Sequence, residues 1–169
     1  MSAGGAQKTS SSLIRNFTFG VEDSLSSSVG LLCGIASAQM SSSAIIATGF
    51  ILIFIEALSM GIGSFLSDQS ANEYQLHHAI ASGNSLPGAV IMFISYFGSG
   101  FIPLFPYIFF PRAQALNLSI IFSLAALFLL GCINSAISRT PLLKNSLRML
   151  ILGGVVVIAG LLAGRLLKL

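Results

Sequence analysis

A carboxylate and a thioether lie one helical turn apart within a long apolar stretch. Glu56 and Met60 fall in residues 50–70, FILIFIEALSMGIGSFLSDQS, a segment long enough to cross a membrane as a helix. An ionisable side chain is costly at that depth, which makes Glu56 a candidate functional residue. Residues four apart share a helix face, so Ser64 lies on the same face as Glu56 and Met60. An oxygen ligand near a thioether favours a soft-to-borderline divalent metal over Mg²⁺ or Ca²⁺.

The same residues also allow a structural interpretation. Glu56 can pair with a polar group on a neighbouring helix, and methionine commonly fills irregular gaps in apolar cores. The adjacent histidines, His77 and His78, are a weaker metal candidate, because neighbouring positions on a helix point about 100° apart and chelate poorly. We interpret these histidines as exposed interface residues.

The composition excludes a soluble protein. Of the 169 residues, 54% are hydrophobic and only 8% are charged, whereas soluble domains carry about 25% charged residues. The net charge of +3 is too small and too scattered for a nucleic-acid surface. No nucleophile–base pair or cofactor motif is visible in the sequence. We therefore expect neither an enzyme nor a permanently bound cofactor.

Hydropathy divides the chain into a short polar tail and a membrane domain. Residues 1–14 are rich in Ser, Gly and Ala, and they are predicted to be a disordered cytosolic tail. Residues 15–169 are predicted to form an all-α membrane protein domain with five transmembrane helices in the lipid bilayer. The expected spans are residues 17–40, 44–66, 86–110, 113–138 and 147–167.

The first predicted span is unusually polar. Its apolar part, residues 29–38, is shorter than the roughly 20 residues that a crossing requires, so the span must also include Glu22, Asp23 and several serines. We expect this helix to be buried against other helices or to line a watery path.

A tight turn at residues 41–43 makes the first two helices antiparallel neighbours. Counting from this turn at 1.5 Å per residue, Asp23 on the first helix and Met60 on the second lie at similar depth. Glu56 lies one turn nearer the membrane centre. The predicted constellation is therefore Asp23 with Met60, and Glu56 above them.

Two further features concern the later spans. Pro103 and Pro106 near the end of the third span predict a kink or an extended end, because proline removes backbone hydrogen bonds. Gly160 and Gly164 permit close contact between helices, although this spacing is common by chance in apolar helices.

Lys and Arg are more frequent on the side of the N-terminus, which favours a cytosolic N-terminus.

Several short motifs occur along the chain in a fixed order. They are FGVEDSL at residues 19–25, ALSMGIGSFLS at 57–67, PLFPY at 103–107, LFLLG at 127–131, and the run 141–154. The first three resemble the G-x-N-D-G-L, S-M-A-x-G-E-[YF]-x-S and P-L-x-P motifs of the vacuolar iron transporter family, and the last two resemble its final spans. The resemblance covers nearly all of residues 15–167.

This resemblance implies export of cytosolic Fe²⁺ or Mn²⁺ into a vacuole or out of the cell, in exchange for protons. It also implies a vacuolar or plasma membrane location and a homodimer with the metal path between the two first helices. The aspartate and methionine that contribute to the family's metal path fall on Asp23 and Met60. We expect Glu22 to recruit the ion from the cytosolic side, and Glu56 to carry the exchanged proton.

The sequence departs from the family pattern at the expected acids. Glu22 and Ser24 stand where the family has asparagine and glycine, and Ser64 stands where it has a glutamate. Glu56 appears two turns before that missing glutamate. The glutamate-rich cytosolic domain of many members is absent from the short connection between spans two and three. Two alternatives therefore stay open: a non-transporting membrane scaffold or regulatory protein, and a proton-coupled transporter of another solute.

Overall fold

The computed structural model describes residues 3–76 and 85–167, with side chains for residues 11–74 and 85–167. All regular structure in these ranges is helical, which confirms the predicted all-α fold. His77 and His78 lie outside the described residues. The five helices are α1 (Ala3–Ser37), α2 (Ser42–Leu76), α3 (Leu86–Phe109), α4 (Arg112–Ser138) and α5 (Leu142–Leu166).

The helices extend beyond the spans that hydropathy predicts. α1 begins at Ala3, inside the segment predicted to be disordered, and α2 continues ten residues past its predicted span to Leu76. Hydropathy marks the part of a helix that suits lipid, whereas a polar extension without proline can continue the same helix into water. α5 begins five residues earlier than predicted, directly after Pro141, which occupies its N-cap position.

Four of the described helices, α2 to α5, are long and apolar enough to cross a membrane. The protein is therefore an integral, multi-pass membrane protein. α1 falls outside this group, because Glu22, Asp23 and its serines lower its hydropathy. The structure accommodates this polar helix by packing it against the other helices. α1 packs against each of the other four helices, and Leu25, Val29 and Cys33 on it are completely buried.

Glycines allow α1 and α5 to touch through their backbones. A Cβ atom added to Gly160 would lie 2.1 Å from the carbonyl oxygen of Gly30, and one added to Gly164 would lie 2.0 Å from that of Gly34. Two glycine pairs with the same four-residue spacing therefore face each other, as in other close helix contacts within membranes. The Gly160 and Gly164 motif thus has its partner on α1.

The prolines of α3 lie inside the helix. α3 passes through Pro103 and Pro106 and ends at Phe109, and only Phe110 adopts an extended conformation. Of the two predicted outcomes, an extended end at the prolines was therefore wrong, and the kink stays a prediction. Both prolines are buried against neighbouring helices, and the hydroxyl of Ser119 on α4 donates a 2.7 Å hydrogen bond to the Pro103 carbonyl. Packing of this kind holds a proline-containing membrane helix together.

Candidate metal site

Two polar contacts fix the relative position of α1 and α2. The amide of Asn16 donates a 3.0 Å hydrogen bond from Nδ2 to Oγ of Ser64, and Asn16 is only 2% exposed. Nearby, Nη2 of Arg15 lies 3.1 Å from Oδ1 of Asp68 in an ion pair. The two helices are therefore antiparallel along this stretch, and Ser64 serves as a contact between them.

The same register sets the depth of the candidate ligands. Asp23 lies seven residues along α1 from the contact with Ser64, and seven residues back along α2 is Ala57. Since both helices rise 1.5 Å per residue, Asp23 lies level with the part of α2 between Glu56 and Met60. This agrees with the depth count made from the sequence to within one turn.

Glu56 is anchored to α3 through a buried tyrosine. The hydroxyl of Tyr96, whose side chain is fully buried, donates a hydrogen bond to Oε2 of Glu56. A second hydroxyl, that of Ser27 on α1, lies 2.7 Å from the same tyrosine oxygen. A phenol has one proton to donate, so Ser27 must donate to Tyr96 while Tyr96 donates to Glu56. The polar partner on a neighbouring helix that the sequence allowed for Glu56 is thus present.

Asp23 joins this arrangement from α1. Its carboxylate interacts electrostatically with that of Glu56, and it is partly buried. The next residue, Ser24, donates a 2.6 Å hydrogen bond to the backbone carbonyl of Tyr96. We refer to Asp23, Ser27, Glu56 and Tyr96, where α1, α2 and α3 meet, as the carboxylate junction.

Met60 lies next to the carboxylate junction. It is partly buried on α2, one turn from Glu56 and close in depth to Asp23. Within the described residues, no group of three or more His, Cys, Asp or Glu side chains is arranged to hold a metal. One chain therefore offers two carboxylates and, at a similar depth, a thioether. This donor set suits a borderline divalent ion but leaves its coordination incomplete.

Glu22 belongs to a different part of the protein. Adjacent helix positions point about 100° apart, so Glu22 and Asp23 cannot share one face of α1. Glu22 lines a cavity of about 210 Å³ between α1, α4 and α5, which also contains the guanidinium-bearing Arg148. The remaining lining residues are Thr18, Asn134, Asn145, Met149 and Leu152. Within one chain, the structure thus separates Glu22 from the other predicted metal residues.

Sequence reasoning missed Tyr96, Ser27 and Asn16. Each is a polar residue inside a helix whose partner is at least 40 positions away in the chain. A usable signal was present in residues 91–100, IMFISYFGSG, where two serines and a tyrosine interrupt an apolar span. Polar side chains within membrane helices commonly bond to neighbouring helices.

The fold and the carboxylate junction define a multi-pass membrane protein with a candidate cation site inside its helix bundle. Comparison with protein families shows a match to the VIT family over residues 14–82 and 73–165. This is the vacuolar iron transporter family that the sequence motifs resemble, so the resemblance is confirmed. Because these ranges cover most of the chain, the protein belongs to the VIT family, whose members are membrane metal-ion transporters rather than enzymes. A search of curated proteins found no significant match.

Proposed function

We propose that this protein moves Fe²⁺ or Mn²⁺ out of the cytosol, into a vacuole or out of the cell, in exchange for protons. The observation that carries the proposal is that Asp23 of α1 lies level with Glu56 and Met60 of α2, in the register that the Asn16–Ser64 hydrogen bond sets. Family membership supports metal transport in general. The combination of carboxylate and thioether favours the borderline ions named here over Mg²⁺ or Ca²⁺.

The paired carboxylates support exchange of metal for protons. Two carboxylates that interact in a partly desolvated site repel each other when both are charged. Binding of a cation relieves this repulsion, and either a divalent metal or a proton can supply the positive charge. Asp23 is the proposed ligand, and Glu56 the proposed proton carrier, so the two cations compete for the same junction.

A second copy of the chain would complete the coordination. One chain supplies too few donors for a closed site among its described residues. Asp23 and Met60 are only partly buried within the single chain. A homodimer with α1 at its interface would double the carboxylates and thioethers around one path. It would also cover the partly open side of the polar helix α1.

The distribution of charge supports a cytosolic N-terminal end, the side from which we propose that the metal enters. The cavity at Glu22 joins the middle of α1 to the end of α4 and the start of α5, so the N-terminal half of α1 lies on the same side of the bundle as these two ends. Arg15, Arg139, Lys144 and Arg148 belong to this side. Basic residues accumulate on the cytosolic side of membrane proteins, so we place this end in the cytosol.

The test is metal uptake into proteoliposomes with an imposed pH gradient, with Mn²⁺ and Fe²⁺ offered separately. Asp23→Asn and Met60→Leu should each reduce transport strongly, because each removes a proposed ligand. Glu73→Gln is the control, since it neutralises a carboxylate that bonds Gln69 near the end of α2, away from the junction. Full transport by an Asp23→Ala, Met60→Ala double variant would contradict the site assignment.

A scaffold without transport activity is the second candidate. It is favoured by Ser64, which stands at the position of the motif glutamate and bonds Asn16 instead of offering a carboxylate. Calorimetry with Mn²⁺ on the purified protein separates the two candidates. A transporter should bind the ion with an affinity that falls when Asp23 is replaced, whereas a scaffold should give no saturable binding.

A further inference from the structure

We propose that Tyr96 is a positioning residue, which holds Glu56 beside Asp23 so that the two carboxylates attract one divalent cation. This inference rests on the proposed metal transport and adds a residue on α3 to a site otherwise built from α1 and α2. It also explains how a carboxylate at position 56 can act in a chain that carries Ser64 in place of the motif glutamate.

The first step is that Tyr96 itself is held in place. Its ring is completely buried, and its backbone carbonyl accepts hydrogen bonds from Ser24 at 2.6 Å and from Ser99 at 3.3 Å. α1 can approach this part of α3 because Gly100 lacks a side chain: an added Cβ would lie 2.9 Å from Oγ of Ser24. The tyrosine hydroxyl is therefore presented at a fixed point between α1 and α2.

The second step concerns charge. Tyr96 donates a hydrogen bond without adding a positive charge, so it orients Glu56 and leaves its negative charge available. A Lys or Arg at this place would neutralise the carboxylate and compete with a metal. The ion pair found in the described part of the chain, Arg15 with Asp68, lies about two turns along the helices from Asp23.

The third step is the order of the hydrogen bonds. Ser27 donates to Tyr96, and Tyr96 donates to Glu56. The protons of both hydrogen bonds therefore point towards the Glu56 carboxylate. Such an order holds the Glu56 carboxylate close to Ser27, which lies one turn from Asp23 on the same face of α1. The two carboxylates are thereby held where one divalent cation can reach both.

The test compares Tyr96→Phe with Tyr107→Phe in the full-length protein. Tyr107 is a matched control because it is also a buried tyrosine of α3, and its hydroxyl is not bonded to a carboxylate. Mn²⁺ affinity is measured by calorimetry, together with the melting temperature. Tyr96→Phe should weaken Mn²⁺ binding about tenfold, the effect of one hydrogen bond to a charged group, whereas Tyr107→Phe should leave the affinity unchanged.

A double-mutant cycle with Glu56→Gln shows whether Tyr96 acts through Glu56. If it does, Tyr96→Phe should produce no further loss of affinity once Glu56 is replaced. Equal losses in both backgrounds, an unchanged or tighter affinity, or a lower melting temperature without a change in affinity would each overturn the inference. If the unmodified protein shows no Mn²⁺ binding, the proposed transport function fails instead, before Tyr96 is considered.

Discussion

Replacing Gly164 with alanine should separate α1 from α5. A Cβ added to Gly164 would meet backbone, the carbonyl oxygen of Gly34 at 2.0 Å, and a backbone atom cannot move aside as a flexible side chain can. Ordinary contacts of a Cβ atom begin at 3.4 Å, so this contact is about 1.4 Å too short. The two helices must move apart or tilt, and the packing around Gly34 must be lost.

The magnitude follows from a comparison with Gly154. Both glycines lie within α5, but a Cβ at Gly154 would meet nothing within 4 Å. Each Gly→Ala substitution gains the same helix propensity, about 1 kcal/mol, so the difference between the two variants isolates the clash. Overpacking of a well-packed contact costs about 1–3 kcal/mol. We expect Gly164→Ala to be about 3 kcal/mol less stable than Gly154→Ala, because the clash is with backbone.

The assay uses a thiol already present at the contact. Cys33 on α1 is completely buried and packs in a cluster with Val157 of α5. In a Cys132→Ala background, the rate at which a maleimide labels Cys33 in mild detergent reports separation of the two helices. Labelling should be faster for Gly164→Ala and unchanged for Gly154→Ala. Equal labelling rates and equal unfolding midpoints for the two variants would refute the backbone contact.

Three further predictions concern single side chains. Glu22→Gln should leave Mn²⁺ affinity within about twofold, while Asp23→Asn should weaken it at least about tenfold by calorimetry, because the two acids occupy different sites. Ser119→Ala should lower the free energy of unfolding by about 1 kcal/mol in a detergent titration, since it removes the hydrogen bond to α3. Arg15→Ala should change it by less than about 1 kcal/mol, because its side chain is 66% exposed and the ion pair is screened by water.

The sequence predicts the elements and depths of the site better than its contacts. Helical rise is regular, so counting from the turn at residues 41–43 was enough to bring Asp23 and Met60 to similar depth. The polarity of the first helix likewise indicated that it would be buried against other helices or line a watery path. These features depend on chain length and composition, which the sequence displays directly.

Contacts that depend on how each helix is rotated were harder to predict. Tyr96 could be assigned to Glu56 only once α3 was placed against α2, because the two residues are 40 positions apart. The separation of Glu22 from Asp23 follows from the 100° between adjacent positions, but the cavity that receives Glu22 depends on α4 and α5. Gly30 and Gly34 of α1 have the same four-residue spacing as Gly160 and Gly164 of α5. This shared spacing was the sequence signal for the contact between the two helices.

The central position of α1 has a consequence for how the protein enters its membrane. A helix inserts by itself when its side chains favour lipid, and an acidic residue at its centre opposes insertion by roughly 3 kcal/mol. α1 carries two such residues and is not among the helices apolar enough to cross alone. Its glycine contact is with α5, the last of the five described helices in chain order. We therefore expect α1 to be synthesised before α5 but to insert stably into the bilayer only after α5 has been synthesised and can pack against it.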